Sequence, residues 1–230
     1  LTALTALTAL TATLTTPPLA PLLARLFEEA SRTSPVTNPE VADLVRDRER
    51  LMRSKSDYRD FYGRLKDFPL AVSRETGTLI YMLARSSGAR SIVEFGTSFG
   101  ISTLHLAAAL RDNGGGRLIT SEFEPSKVAR ARENLKAAGL LDLVDTREGD
   151  ALQTLRSDLP DTIDFLLLDG AKALYSDILS LVEDRLEPGA LIVADNADYC
   201  PEYLARVRSV ANGYLSTPFA EDVELSFRLA

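Results

Sequence analysis

Two apolar runs in this sequence end on short oxygen-bearing side chains. "DFLLLDGAK" (164–172) stops at Asp169, with Lys172 three residues on, and "LIVADNADY" (191–199) stops at Asp195-Asn196. If these runs are neighbouring parallel strands, about 4.8 Å apart, the side chains at their tips converge. Two carboxylates and an amide oxygen make a hard, all-oxygen half-shell that suits Mg²⁺, with the remaining positions left to water or substrate. A buried carboxylate pair without a cation is costly. The alternative for each acid alone is to cap the helix that follows. Lys172 has a reference pKa of about 10.4, too high for a base at neutral pH. A neighbouring divalent cation and partial desolvation both lower it. A lysine lowered in this way takes a proton from an acceptor hydroxyl; without metal it is a salt-bridge partner for Asp169.

A second constellation lies upstream. "VEFGTSFGIS" (93–102) places Gly96 and Gly100 where an apolar run turns into an amphipathic stretch. Glycines there let the backbone turn tightly and approach a ligand, and the helix that follows offers free N–H groups to a carboxylate or phosphate. The alternative is a tight turn that binds nothing. Glu122, in "ITSEFEP", stands 22 residues beyond Gly100, where an acid accepts hydrogen bonds from ribose hydroxyls. That fits NAD and S-adenosylmethionine alike. The loop separates them: a dinucleotide fingerprint needs three glycines, and positions 96, 98 and 101 hold Gly, Ser and Ile. Glu94 would also repel a pyrophosphate, and suits a ligand bearing an ammonium group. Asp150, in "REGDAL", either receives an adenine amino group or caps the next helix.

These residues need strand tips to carry them. From residue 90 short apolar runs alternate with amphipathic stretches, giving five strand–helix units in series: "SIVEFG", "RLITSE", "VDTREG", "IDFLLLD" and "ALIVADN" are the strands. Crossover connections of this kind build a doubly wound parallel sheet. "GYLSTPF" and "DVELSFRL" follow as two closely spaced strands and should pair antiparallel. The expected fold is α/β, with a mostly parallel seven-stranded sheet, a C-terminal antiparallel hairpin and extra N-terminal helices over 18–35, 39–66 and 73–86.

Composition bounds the remainder. The chain has 230 residues, 45% hydrophobic and 26% charged, as expected of one soluble globular domain. A net charge of −7 gives no basic footprint for nucleic acid. No apolar run is long enough to span a bilayer, so no membrane partner is expected. The single cysteine, Cys200, excludes an internal disulfide and suits a reducing, cytoplasmic location. Residues 1–16, "LTALTALTALTATLTT", form a low-complexity tail, either loose or packed as a helix on a partner subunit. The chain starts at Leu1, so its true start is expected upstream. Residues 17–68 are read as a helical cap and 69–230 as a Rossmann-like core within one domain.

Taken together, "VEFGTSFGIS", "RLITSEFEP", "EGDAL", "FLLLDGAK" and "LIVADN", in that order and at these distances, make residues 70–229 resemble the cation-dependent catechol/caffeoyl-CoA O-methyltransferases, which are class I S-adenosylmethionine-dependent enzymes. The resemblance implies that Glu94, Gly96, Gly100 and Ser102 hold the amino-acid end of S-adenosylmethionine, with Ser98 in the same loop. It implies that Glu122 holds the ribose, that Asp150 and Ala151 meet the adenine edge, and that Val72 touches the cofactor through its backbone, with Gly77 matching a family glycine. Asp169, which also borders the cofactor, Asp195 and Asn196 would bind Mg²⁺, or Ca²⁺ or Mn²⁺, and Lys172 would be the base. The resemblance further implies a small phenolic acceptor, a vicinal diphenol, and a homodimer joined through the N-terminal region that covers the acceptor site. Where plant-like members read Asp-Ala-Asp-Lys, this chain has Asp169-Gly170-Ala171-Lys172, implying a wider or differently shaped acceptor pocket. Asp222-Val223 replaces the usual Asp-Gly before the last strand and alters the loop that would offer Glu221 or Asp222 to the acceptor.

Two alternatives stand beside this reading: a catalytically silent S-adenosylmethionine-binding member with an interaction role, and an NAD-dependent oxidoreductase. His105, the only histidine, and Cys200 are expected to be structural. Tyr58, Phe61, Tyr62 and Phe68 are expected to pack in the protein rather than line an acceptor pocket.

Overall fold

The computed structural model describes residues 12–219 and 222–229. The chain opens with α1 (Leu19–Arg32), three short helices, α2 (Ala42–Arg46), α3 (Arg48–Met52) and α4 (Tyr58–Arg64), and then α5 (Arg74–Ser86). The alternating part runs β1 (Ser91–Phe95), α6 (Ile101–Asp112), β2 (Arg117–Glu122), α7 (Pro125–Ala137), β3 (Val144–Glu148), α8 (Ala151–Thr154), β4 (Ile163–Leu168), α9 (Tyr175–Val182) and β5 (Leu186–Asp195). It ends with α10 (Pro201–Val207), β6 (Tyr214–Phe219) and β7 (Val223–Arg228).

The seven strands form one sheet in the order β3-β2-β1-β4-β5-β7-β6. The first five are parallel, and β7 lies antiparallel to both β5 and β6. The expected architecture is therefore present, with the last strand inserted between the fifth and sixth. Central strands are buried on both faces, which is why β4 reads as a continuous apolar run rather than an alternating one. Alternate residues feed two cores: Ile92, Phe165, Leu167 and Val193 pack towards α1, α5 and α6. Val93, Leu166, Leu168 and Ile192 pack towards α9 and α10. Each fully buried side chain of this kind contributes about 1.5–3 kcal/mol.

Register sets the tips. Phe95 pairs with both Ser121 and Leu168, and Leu168 with Ala194. The next residues on these strands, Gly96, Glu122, Asp169 and Asp195, therefore emerge at one level. Close packing locks this level: the Asp169 N–H donates to Phe95 O at 2.8 Å and the Gly96 N–H to Ser121 O at 3.2 Å.

In the cap, α1 buries Leu19, Leu22, Leu23 and Leu26, the helical spacing seen in the sequence. Ser73 caps α5 by accepting from the Thr76 N–H at 2.9 Å. The single helix expected over 39–66 is instead three short ones. Asp47 leaves helical geometry at φ −95°, ψ 10°, and the Ser54 hydroxyl takes the Asp57 N–H at 3.0 Å to build a turn. The apolar residues there, Val41, Leu44, Leu51, Met52, Phe61, Leu65 and Phe68, fit no single stripe; folding the segment back lets them form a separate small core. The helix expected after β3 shrinks to the four residues of α8. Of the N-terminal tail, residues 1–11 lie outside the described residues, while Thr13–Thr15 form a turn whose first N–H donates to the Asp112 carboxylate at 3.0 Å.

Gly77 and His105 explain each other. A Cβ at Gly77 would stand 2.8 Å from the His105 ring, which is buried and hydrogen-bonded through Nδ1 to Ile101 O at 2.7 Å. The histidine is a packing residue, as its place in the sequence implied.

Gly96 is the least replaceable glycine at the site. Its φ is +103°, and a Cβ there would lie 2.6 Å from the Asp169 carbonyl and the Gly170 nitrogen. Positive φ and overlap with backbone together should cost about 2–4 kcal/mol. Urea unfolding of Gly96→Ala measures this; a variant as stable as wild type would remove the strand-tip packing described here.

Candidate active site

Asp169, Lys172, Asp195 and Asn196 come together. The Lys172 ammonium donates to Asp169 Oδ1 at 2.6 Å and reaches Asp195 Oδ2 at 3.4 Å. All three side chains are largely buried, 6% exposed for Lys172, 12% for Asp169 and 14% for Asp195. Burial works to lower the lysine, but Asp169, Tyr175 and Asp195 outweigh it and hold the ammonium well above its usual pKa. This is the salt-bridge arrangement expected of Lys172 without a cation: the paired acids keep it charged. Burial, with Asp195 adding to it and Lys172 opposing, pushes the Asp169 carboxyl up to about 8, so the acid pair is costly to keep fully ionised.

Neighbours fix this cluster. The Tyr175 hydroxyl donates to the Asp195 carbonyl at 2.7 Å. Asn196 adopts φ 51°, ψ 44°, a left-handed geometry that asparagine tolerates. Its Nδ2 donates to Asp222 Oδ2 at 2.8 Å, leaving the amide oxygen as the donor atom for a cation. Among the described residues no group of three or more His, Cys, Asp and Glu side chains is placed to hold an ion. The all-oxygen set here is two carboxylates and an amide, which fits a hard divalent cation with several open positions.

All four residues line one cavity of about 290 Å³. Its other wall comes from the cap, including Leu44, Arg48, Met52, Phe61, Tyr62 and Leu65. A smaller cleft of about 60 Å³ adjoins it, lined by Gly96, Ser98, Glu122, Asp150, Ala151, Gly170 and Ala171 among others. Asp169 and Tyr62 line both.

In the cleft, Glu122 is held by main-chain donors: Oε2 takes the Ser98 N–H at 2.9 Å and Oε1 the Glu124 N–H at 3.1 Å. Asp150 caps α8, accepting from the Leu152 N–H at 3.1 Å, and also faces the cleft. Arg59 and Tyr58 of α4 bond to its carboxylate, so a ligand reaching for Asp150 competes with the cap.

Other expected residues stand elsewhere. Glu94 is fully buried and lines neither cavity; its two oxygens accept from Ser102 Oγ and Thr103 Oγ1, each at 2.6 Å. It ties β1 to the first turn of α6. Val72 is buried and also lines neither, though Leu70 and Ala71 beside it do. Gly100 serves as the left-handed N-cap of α6 at φ 84°. Gly170 and Ala171 line the smaller cleft, not the larger cavity. A Cβ at Gly170 would meet the Phe95 ring at 2.5 Å, so the space left by the missing side chain is filled, and the acceptor-side cavity is not widened there. Glu221 lies outside the described residues, and Asp222 acts through Asn196.

Sequence reading missed several lining residues. Phe61 and Tyr62 line the larger cavity; the expectation that they only pack was too narrow. Lys127 is buried against the cleft, and burial pushes its pKa down. In sequence it is one lysine at the start of an amphipathic helix, with nothing to mark it apart from a surface residue.

Residues 93–197 match the family model described as a methyltransferase domain. The chain is 36% identical over 130 residues to catechol O-methyltransferase of Niastella koreensis, covering 55% of this chain and 58% of the relative. It is 30% identical over 174 residues to catechol O-methyltransferase B of Danio rerio, covering 72% of this chain and 64% of the relative. The match thus spans less than two thirds of either relative's length. The solved O-methyltransferase TomG from Streptomyces achromogenes, in complex with S-adenosylmethionine, superposes with a TM-score of 0.61 at 25% identity, over 82% of this chain and 96% of that one.

Glu94 generates a pH-dependent test. Burial, opposed by the Ser102 and Thr103 hydroxyls, raises its pKa. A raised folded pKa means the folded state holds the proton more tightly, so the associated stability is present below the unfolded value of about 4.3 and is lost as pH rises. Glu94→Gln should therefore gain stability relative to wild type as pH rises from about 4.3 towards the raised folded value. Parallel urea titrations check this, and a difference that stays flat with pH would refute the buried, proton-holding carboxyl.

Proposed function

Residues 93–197 belong to the methyltransferase-domain family, and on that premise we propose that this protein is a divalent-cation-dependent O-methyltransferase that moves a methyl group from S-adenosylmethionine to one hydroxyl of a vicinal diphenol. The observation that carries this reading is that Asp169 borders both cavities. Donor and acceptor would meet across the seam that Asp169 shares with Tyr62 and Leu70.

On this reading the smaller cleft takes the methyl donor. Glu122, preoriented by two main-chain N–H groups, accepts from the ribose hydroxyls; Asp150 and Ala151 meet the adenine edge once Arg59 yields. Gly96 and Ser98 bring main chain against the amino-acid end. Glu94 and Ser102 support that loop from beneath, through the 2.6 Å bond between them. The larger cavity takes the diphenol, and Asp169, Asp195 and Asn196 would hold the cation. A bound divalent cation would supply Lewis acidity to the acceptor oxygens, and Asp169 and Asp195, engaged as its ligands, would no longer hold Lys172 protonated. Burial then disfavours the ammonium, and neutral Lys172 takes the proton from the acceptor hydroxyl. The phenolate oxygen attacks the sulfonium methyl: an O–C bond forms, the S–C bond breaks, and S-adenosylhomocysteine and a monomethyl ether leave. Holding both reactants in line draws on the roughly 7–11 kcal/mol that positioning offers.

The dinucleotide alternative is disfavoured by the methyltransferase-domain match and by Ser98 where a pyrophosphate needs glycine. Retention of Lys172 and all three cation ligands argues against a silent member.

Titration with S-adenosylmethionine and with NAD, followed by methylation of a small catechol panel with Mg²⁺ or with chelator, tests the proposal. Methylation that chelator abolishes is the expected result, and Lys172→Ala should lose about 10²–10⁴-fold in kcat with donor affinity near wild type. A fully active Lys172→Ala, or turnover indifferent to chelator, would overturn this assignment.

A further inference from the structure

Helix α4 carries a group to the seam between the two cavities that the reaction above does not use. Tyr62 lines both, yet its hydroxyl is buried and has no hydrogen-bond partner among the described residues. Buried hydroxyls are nearly always paired, and one left alone costs about 1–3 kcal/mol. The other unpaired buried polar atoms, on Arg130, Thr146 and Tyr203, belong to residues that line neither cavity. Among the described residues, the unmet hydrogen bond coincides with space for a ligand only at Tyr62.

Its surroundings define what it can do. Packing holds the ring in place, edge-on to Phe61 at 4.8 Å between centroids. Burial is the main influence raising its pKa and Asp169 adds to it, while Lys172 lowers it through its charge and through its main-chain N–H, which faces the phenol oxygen and leaves the O–H proton without an acceptor. A phenol kept protonated is a hydrogen-bond donor, not a base. The cap-side wall, Leu44, Met52, Phe61 and Leu65, is apolar and suits an aromatic acceptor, while Asp169, Asp195 and Asn196 line the rest of the cavity and none of their oxygens bonds to the hydroxyl.

We propose that the Tyr62 hydroxyl donates a hydrogen bond to an oxygen of the bound acceptor and so fixes the diphenol beside Lys172 at the seam. This rests on the reading of the larger cavity as an acceptor site.

Tyr62→Phe removes the hydroxyl and keeps the ring. The test titrates S-adenosylhomocysteine, and then 4-nitrocatechol in the presence of S-adenosylhomocysteine and Mg²⁺, against wild type and variant, and records Tm without ligands. The variant should bind S-adenosylhomocysteine as wild type does, bind 4-nitrocatechol about 5–20-fold more weakly, and melt no lower than wild type. Equal 4-nitrocatechol affinity would overturn the inference while leaving the acceptor site intact. So would a lower Tm with both ligands weakened alike, which is the signature of a purely structural tyrosine, or a loss confined to S-adenosylhomocysteine. Wild type that binds S-adenosylhomocysteine but no 4-nitrocatechol would overturn the acceptor reading itself, and the inference with it.

Discussion

Two largely buried carboxylates held side by side at neighbouring strand tips are the constraint around which this protein is arranged. Pairing of Leu168 with Ala194 leaves Asp169 and Asp195 no choice but to emerge together. In a low-dielectric setting such a pair needs positive charge close by. Lys172 provides one unit, at 2.6 Å from Asp169 and 3.4 Å from Asp195. Keeping both acids ionised is still costly, and burial with Asp195 nearby pushes Asp169 up to about 8; a second positive charge would relieve that cost.

The surrounding structure keeps the pair in register. Gly96 lets the first strand's turn press on the Asp169 main chain, where any side chain would collide. Phe95 fills the space over Gly170. Tyr175 holds the Asp195 carbonyl and Asp222 orients Asn196. None of these contacts involves a reacting group, yet each fixes where one can be. The two apolar cores on the faces of the sheet make the tips a rigid platform, since packed interiors resist displacement.

The cap supplies what the sheet cannot. Strand tips give an open ledge; helices α2 to α4 turn it into an enclosed cavity with an apolar wall. The segment can do this only because it is broken. A continuous helix over 39–66 would have presented one straight stripe, whereas three short helices fold their apolar residues into a small core of their own and still direct Tyr58, Arg59, Phe61 and Tyr62 towards the ligand spaces. Stability is given up locally, at an unpaired tyrosine hydroxyl and a crowded acid cluster, as is common where binding needs groups that the fold itself leaves unsatisfied.

Local pattern was enough for the alternating strands and helices, the antiparallel end of the sheet, the convergence of Asp169, Lys172, Asp195 and Asn196, and the placing of Glu122 and Asp150 beside the glycine turn. Periodicity and turn residues are short-range signals, and the parallel topology that follows from them carries strand ends to one edge. Tertiary structure alone decided the rest. It buried Glu94 under the loop instead of in the cleft, because its two oxygens found the hydroxyls of Ser102 and Thr103. It gave Gly170 to the Phe95 ring rather than to an acceptor, kept Lys172 charged between two acids, and set Lys127 and Tyr62 at the ligand spaces. Each of these depends on what lies opposite a side chain across the fold, and a sequence read along the chain does not contain that distance.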